Sequence, residues 1–263
     1  MTSSMTLDRL PQVTLDGLVE EAAQKAFQTH GCLEIKDFLP VPVIRALHDE
    51  AIACHAACLE TGDFARVGDK RRMIALPVRG GFGDARLFSS EPLAVLLNGL
   101  LGASHVINFY GCVVSQPGAT AQHVHTDTEG LFGTGLDYLA PCHAINLFVP
   151  LVPLNQVNGT TQMWPGTHRK PMVDHESQPG LLPEVPLGSA ILMDYRVLHR
   201  GRENLSLAPR PILTIAFSRK WFIDTQNFVR IAPIKIAKED FERLPPDQRA
   251  LFARAKLYWG NKA

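Results

Sequence analysis

Apolar positions in the first third of the chain recur with helical spacing. Leu18, Ala22 and Ala26 share one face, and Val43 to Leu59 is rich in alanine with no internal proline or glycine, so both stretches read as amphipathic helices packed on something else. Between them, Gly31-Cys32-Leu33-Glu34-Ile35-Lys36 alternates apolar and charged residues, the pattern of a half-buried strand. From Val106 the texture changes. Val106–Val114, Ala144–Val149, Ala190–Asp194 and Ile212–Phe217 are short runs rich in β-branched and aromatic residues, each bounded by Gly, Pro, Asn or Asp, and they predict strands. No helix-length pattern alternates with them, which favours a sandwich or jelly roll over a parallel sheet. Ile236–Glu242 and Pro246–Tyr258 look helical again. With no repeat, low-complexity tract or linker, the expectation is a single domain over residues 1–263. It is mainly β with flanking α: a helical part to about residue 100 that buttresses a β core over about 101–222, then a helical tail over 223–263.

Composition narrows the partners. At 263 residues and 46% hydrophobic content the chain can build a core without a metal or disulfide to hold it together. Lys+Arg 26 cancels Asp+Glu 26, so no overall positive field attracts nucleic acid or an anionic bilayer. The five cysteines are scattered without a framework pattern, which suits a reducing compartment. MTSSMTLDRL contains no apolar run of signal-peptide length, WGNKA is not a peroxisomal tripeptide, and Ala144–Leu154, with Asn146 and two prolines, is too short to span a bilayer. The expectation is a soluble cytoplasmic protein, monomer or homodimer, with a small-molecule substrate and no nucleic-acid or membrane partner.

The candidate chemistry centres on His125-Thr126-Asp127. Residues i and i+2 of an extended strand project from one face, which places an imidazole beside a carboxylate. Such a triplet also arises by chance, and its weight depends on residues further along the chain. Leu187–Asp194 reads as a turn and a buried strand that delivers His199 into a loop followed by Gly201, and Arg210 opens the next strand. His199 and Arg210 can then lie close across a turn, on neighbouring strands of one barrel. Two histidines and one carboxylate on one side of an iron leave three adjacent positions open, and an arginine beyond them can grip a distal carboxylate bidentately.

Three motifs in order carry a resemblance: Gln122-His-Val-His125-Thr-Asp127, Asn158-Gly-Thr-Thr-Gln-Met-Trp-Pro165-Gly166-Thr167-His168, and the His199…Asn204…Ser206…Arg210 run. Over roughly residues 105–220 the chain resembles the phytanoyl-CoA-hydroxylase-like (PhyH-type) non-haem Fe(II)/2-oxoglutarate dioxygenases. The resemblance implies a double-stranded β-helix, or cupin-like jelly roll, with helices on one face. It implies His125, Asp127 and His199 as ligands of Fe(II), Arg210 as partner of the far carboxylate of 2-oxoglutarate, O2 as the second cosubstrate, and Gln122 and Thr161 as hydrogen-bonding partners of 2-oxoglutarate. Asn146 alternates with Ala144 and Phe148 and points into the barrel, toward a cosubstrate oxygen or a backbone group. Related halogenases lack the carboxylate that Asp127 supplies, which disfavours halogenation, and no dense basic cluster offers itself to the phosphates of a CoA thioester.

Other features read as supporting structure. His123 completes H-x-H-x-D, yet residue 128 is threonine where dinuclear zinc hydrolases have a further histidine, so His123 is a packed or supporting side chain. Cys54-His55-Ala-Ala-Cys58 has no second ligand pair and reads as a helix face. His168 orders a turn. The loop from Thr128 to Pro141 is too apolar for a solvated connection, and Leu131 and Phe132 in it, with Trp164, are candidate substrate contacts. The expected activity is oxidation of a C–H bond in a largely apolar small metabolite, a natural-product intermediate, with release of succinate and CO2. Hydroxylation is the default, and desaturation, cyclisation or endoperoxidation needs only a different pose. A metal-dependent cupin-like isomerase or hydrolase, or a non-catalytic small-molecule-binding jelly roll, are the alternatives.

Overall fold

The computed structural model describes residues 7–170 and 178–259. The first six and last four residues, on which part of the leader and C-terminal expectations fall, lie outside the described residues. In chain order the elements are β1 (Gln12–Thr14), α1 (Glu21–His30), β2 (Cys32–Lys36), α2 (Val41–Thr61), β3 (Ala65–Arg66), β4 (Arg71–Ala75), α3 (Glu91–Leu101) and β5 (Val106–Ser115). Next come β6 (Ala144–Pro150), β7 (Thr161–Trp164), β8 (Ala190–Asp194), β9 (Leu198–Gly201), β10 (Arg210–Ser218), α4 (Lys238–Arg243) and α5 (Pro246–Leu251), with short 3-10 turns between. No helix among the described residues is long and apolar enough to cross a membrane.

An eight-stranded sheet runs β1-β2-β8-β6-β10-β5-β4-β3, and β7 and β9 form a separate two-stranded ladder. All pairings are antiparallel except β1 with β2. The architecture is a jelly roll rather than a closed barrel: β9, which carries His199, belongs to the small ladder, and β10, which opens with Arg210, to the large sheet. His199 and Arg210 are therefore not on neighbouring strands, and His199 sits in a strand instead of the expected loop.

The central strands are buried on both faces, so alternation separates two environments rather than inside from outside. Leu213, Ile215 and Phe217 of β10 and Ile145, Leu147 and Val149 of β6 pack with Ile44 and Leu47 of α2 and Leu93 and Leu97 of α3. Each such side chain stabilises the fold by about 1.5–3 kcal/mol through burial. The alternate residues Arg210, Ile212 and Thr214 of β10, and Asn146 and Phe148 of β6, line a cavity. β5 follows the same rule only because of a bulge. Phe217 pairs with Ile107 and Ala216 with Phe109, which leaves Asn108 as the extra residue. Phe109 is thereby switched to the cavity face while Ile107 stays with the helices.

The N-terminal part does more than buttress, since β1 to β4 are strands of the large sheet. Glu34, expected on a solvated face, is 2% exposed. β1 lies alongside it, and the Gln12 amide (2.9 Å) and the Lys36 ammonium (3.0 Å) cover its carboxylate.

Candidate active site

The segment carrying His125 and Asp127 runs antiparallel to β9, although only His125 makes a ladder bridge. His125 and His199 exchange both backbone hydrogen bonds (3.0 and 2.9 Å), Gln122 N–H donates to the Gly201 carbonyl (2.9 Å), and Asp127 N–H donates to the Tyr195 carbonyl (2.8 Å). Facing positions put the imidazoles beside each other, with ring centroids 4.4 Å apart. The donor atoms of His125, Asp127 and His199 all lie within 4.8 Å of one another.

The orientation of these groups suits a metal ion. His125 Nδ1 lies 2.9 Å from the His123 carbonyl and His199 Nδ1 3.0 Å from the Val197 carbonyl. A carbonyl only accepts, so each Nδ1 carries the proton and each Nε2 presents a bare lone pair. Both Nε2 atoms face Asp127 Oδ1, at 4.0 and 3.7 Å, too far for a hydrogen bond. Asp127 Oδ2 accepts from Asn146 Nδ2 at 2.8 Å, which leaves Oδ1 for the histidines. Burial, and after it the neighbouring His199, lowers the His125 pKa against the pull of Asp127, which keeps a neutral ring available for coordination.

Beside the triad the cavity encloses about 650 Å3. Two buried guanidiniums line it, Arg210 at 2% and Arg71 at 1% exposure. Arg210 on β10 and Arg71 on β4 both pair with Ser115 of β5, so the two backbones flank it at one level, about 9–10 Å apart by strand spacing. Arg210 Nη1 donates to the Gly159 carbonyl at 2.7 Å. Arg71 donates to the Thr120 and Arg202 carbonyls and to Ser115 Oγ. The Nε of each has no hydrogen-bond partner among the described residues. Burial, then the charge of Arg71, depresses Arg210 to a pKa of about 9. Among the described residues the cavity wall holds a single carboxylate, Asp127. Burying two guanidiniums around one cavity carboxylate is costly, and an anion bound in the cavity would offset that cost.

Arg71 is the residue that sequence reasoning missed. It lies in the stretch read as helical, and only its place before the apolar run Met73-Ile74-Ala75 hinted at a strand entering the site. Gln122 and Thr161 do line the cavity. Gln122 is already engaged, its Nε2 on the Val67 carbonyl (2.7 Å) and its Oε1 on the Gly201 N–H (2.9 Å). Gly201 permits this packing, since a Cβ there would meet Gln122 Oε1 at 2.7 Å. Asn146 holds Asp127 rather than reaching an open position. His123 lines the cavity outside the triad.

The three candidate substrate contacts lie off the cavity wall. Trp164 is buried in β7, where its Nε1 donates to the Gln178 carbonyl at 2.9 Å. Phe132 is 57% exposed, because Asp137 gathers the loop on itself by accepting the N–H groups of Leu131, Phe132 and Thr134. Leu131 packs in the cluster around Phe109 and Phe222. In place of these three, the wall includes Phe109, Phe148, Asn227 and Phe228.

The phytanoyl-CoA dioxygenase (PhyH) family model matches residues 27–212 of the chain. The chain belongs to the phytanoyl-CoA dioxygenase family. Among curated relatives of this PhyH protein, the multifunctional dioxygenase prhA of Penicillium brasilianum is 27% identical over 236 residues, covering 83% of this chain and 78% of the relative. Among solved structures, HygX from Streptomyces hygroscopicus, with nickel and 2-oxoglutarate bound, superposes with a TM-score of 0.62 at 13% identity, covering 83% of this chain and 96% of that one. The α-ketoglutarate-dependent epimerase SnoN of nogalamycin biosynthesis gives 0.57 at 14% identity, covering 82% and 92%. As a PhyH-family enzyme the protein is a non-haem iron dioxygenase with 2-oxoglutarate as cosubstrate.

Proposed function

We propose that this dioxygenase, a single cytoplasmic domain, oxidises a C–H bond of a largely apolar small metabolite, an intermediate of natural-product biosynthesis. The observation that carries the reading is the convergence of His125 Nε2, Asp127 Oδ1 and His199 Nε2 on the wall of a cavity that also buries two guanidiniums. Iron with 2-oxoglutarate and dioxygen supplies oxidative decarboxylation of the cosubstrate to succinate and CO2, coupled to oxidation of the substrate. His125, Asp127 and His199 are assigned to the metal, with Asn146 setting the rotation of Asp127. Arg210 is assigned to the remote carboxylate of 2-oxoglutarate, and Thr161 and Gln122 line the same space. Arg71, on the other side of Ser115, adds a second buried positive group that draws the acid into the chamber. The apolar wall of Met73, Phe109, Val113, Phe148, Ile212 and Phe228 excludes water and takes the organic substrate. Hydroxylation is the default outcome. The names of prhA, a multifunctional dioxygenase, and of SnoN, an epimerase from nogalamycin biosynthesis, support a role in natural-product chemistry and show how widely outcomes vary on related scaffolds. A metal-dependent isomerase or hydrolase that uses no anionic cosubstrate would leave both buried guanidiniums without a purpose, and a silent binding protein would keep the cavity without turnover.

The test is succinate. The protein reconstituted with Fe(II) should convert 2-oxoglutarate to succinate in air, slowly even without its substrate. Asp127→Ala should abolish turnover through loss of metal. Arg210→Ala should raise the KM for 2-oxoglutarate by about 100-fold, the scale of losing one partner of a buried charge pair, with metal content unchanged. No succinate from the wild type, or equal loss of metal in both variants, would overturn the assignment.

A further inference from the structure

The family match ends at residue 212, and the triad and both arginines lie within it. The cavity does not end there. Asn227 and Phe228 also line it, brought in by the irregular segment after β10. That segment is fastened along its length. Arg219 donates from Nε to the Cys142 carbonyl (2.8 Å) and from Nη2 to the Leu100 carbonyl (3.0 Å), and Arg254 donates to the carbonyls of Lys220 and Phe222 (2.9 and 2.6 Å). The Phe222 ring meets Tyr195 edge-on at 6.2 Å.

Asn227 then ties the segment to the site itself. Its Nδ2 donates to the backbone carbonyl of Asp127 at 2.9 Å and to Asp224 Oδ2 at 2.8 Å. Phe228, the next residue, stacks on Phe109 with centroids 4.7 Å apart and planes 6° from parallel. Phe109 is the residue that the bulge at Asn108 turns to the cavity. Ile223 and Val229, at 63% and 75% exposure, face solvent, whereas Phe228 is half-buried and turned inward. Two independent devices, a strand bulge and an amide tether, thus bring two aromatic rings together at the wall of one chamber.

We propose that Phe228 is a specificity-determining residue: with Phe109 it forms the aromatic wall that sets the size of substrate this dioxygenase accepts, and Asn227 is the positioning residue that holds this wall at a fixed distance from Asp127. The inference rests on the oxygenase reading of the site and assigns it a substrate class. With Arg71 and Arg210 engaged by the cosubstrate, the apolar part of the wall, Met73, Val113, Phe148 and the paired rings, suits an alicyclic ring system, and Arg66, His123 and Thr126 leave polar groups for a hydroxyl on it. The chemistry common to the family then sits within residues 27–212, and the choice of substrate is made in part by a segment outside them.

The probes are a graded series of alicyclic alcohols: 2-decalol, a perhydrophenanthrol and androstan-3-ol. Their binding is measured by calorimetry on protein loaded with Co(II), which is redox-silent here, and 2-oxoglutarate. Phe228→Ala should shift affinity toward androstan-3-ol relative to 2-decalol by about tenfold, the scale on which apolar pockets discriminate by size. Phe228→Trp should shift it the opposite way, and 2-oxoglutarate affinity should stay unchanged in both, which also reports that the site has folded. Should the alanine variant fail to fold, the tryptophan variant alone decides. An unchanged ranking in the folded variants, or no binding of any probe to the wild type, would overturn the proposal. If the wild type still releases succinate with Fe(II), that failure belongs to this proposal alone; if it releases none, the oxygenase reading fails with it.

Discussion

Each polar group of Asp127 has its own holder: Tyr195 for the N–H, Asn227 for the carbonyl and Asn146 for Oδ2. Only Oδ1 is left over, and it faces both imidazoles. Partners of a metal ligand's free atom typically change affinity by about 10–100-fold when removed. Asn146→Ala should therefore lower the affinity of the apoprotein for Co(II) by about tenfold, read by metal titration, with the 2-oxoglutarate affinity of the fully loaded protein little changed. If metal affinity is unaltered, Asn146 is not orienting the carboxylate. Asn146 was legible as an inward-facing amide from its alternation with Ala144 and Phe148; its partner was not, because that partner is 19 residues away on a segment that makes only an isolated bridge and does not pair with β6.

At the scale of elements, most of the Asn158-to-His168 motif, Thr161 apart, lies off the cavity wall and does structural work. Asn158 donates from Nδ2 to the Pro153 carbonyl and its Oδ1 accepts the Asn155 N–H, which caps the turn. Gly159 has φ +79°, and a Cβ there would lie 2.3 Å from the Glu203 carbonyl oxygen. Thr167 Oγ accepts the Leu198 N–H at 2.9 Å, which braces β9 next to His199. His168 reaches the Gln28 carbonyl with Nε2. Gly159 also offers its carbonyl to Arg210. Gly159→Ala must displace that carbonyl, and the expected result is weaker 2-oxoglutarate binding, by about tenfold for one charge-assisted bond. Metal affinity should hold, since the triad sits on other segments. Calorimetry with each ligand separates the two. The central strands were legible because strands buried on both sides read as short β-branched and aromatic runs between Gly, Pro, Asn or Asp. The bulge at Asn108 and the strand at Arg71 were not: the first is an insertion that alternation cannot register, the second a short strand whose first residues, Arg71-Arg72, follow Asp69-Lys70 and mask its apolar end.

For the whole molecule, two layers with different tasks meet at the large sheet: a helix-backed core on one face and a polar-seeded cavity on the other. Assembling them buries several histidines. His143 is 1% exposed, neither ring nitrogen has a hydrogen-bond partner among the described residues, and burial pushes its pKa down to about 4. Burial also lowers His55, His105 and His168. In the unfolded chain these rings titrate near 6.5. Between about pH 6.5 and pH 4 the unfolded state therefore binds protons that the native state refuses, so stability is complete above that window and falls as pH falls through it. For His143 alone the loss approaches about 3 kcal/mol at the lower end, which corresponds to roughly 5–10 °C in melting temperature for a chain of this length. Asp194, buried but held below the usual aspartate range by Arg196, also costs stability as pH falls, but only below the ordinary aspartate range, so it leaves this window alone. The His143 ring packs 4.7 Å from the Phe222 ring, which makes phenylalanine a fitting replacement. His143→Phe should match the wild type at neutral pH and melt several degrees above it near pH 4.5. Parallel melting curves for the two proteins across the window would show that His143 is already protonated in the folded state.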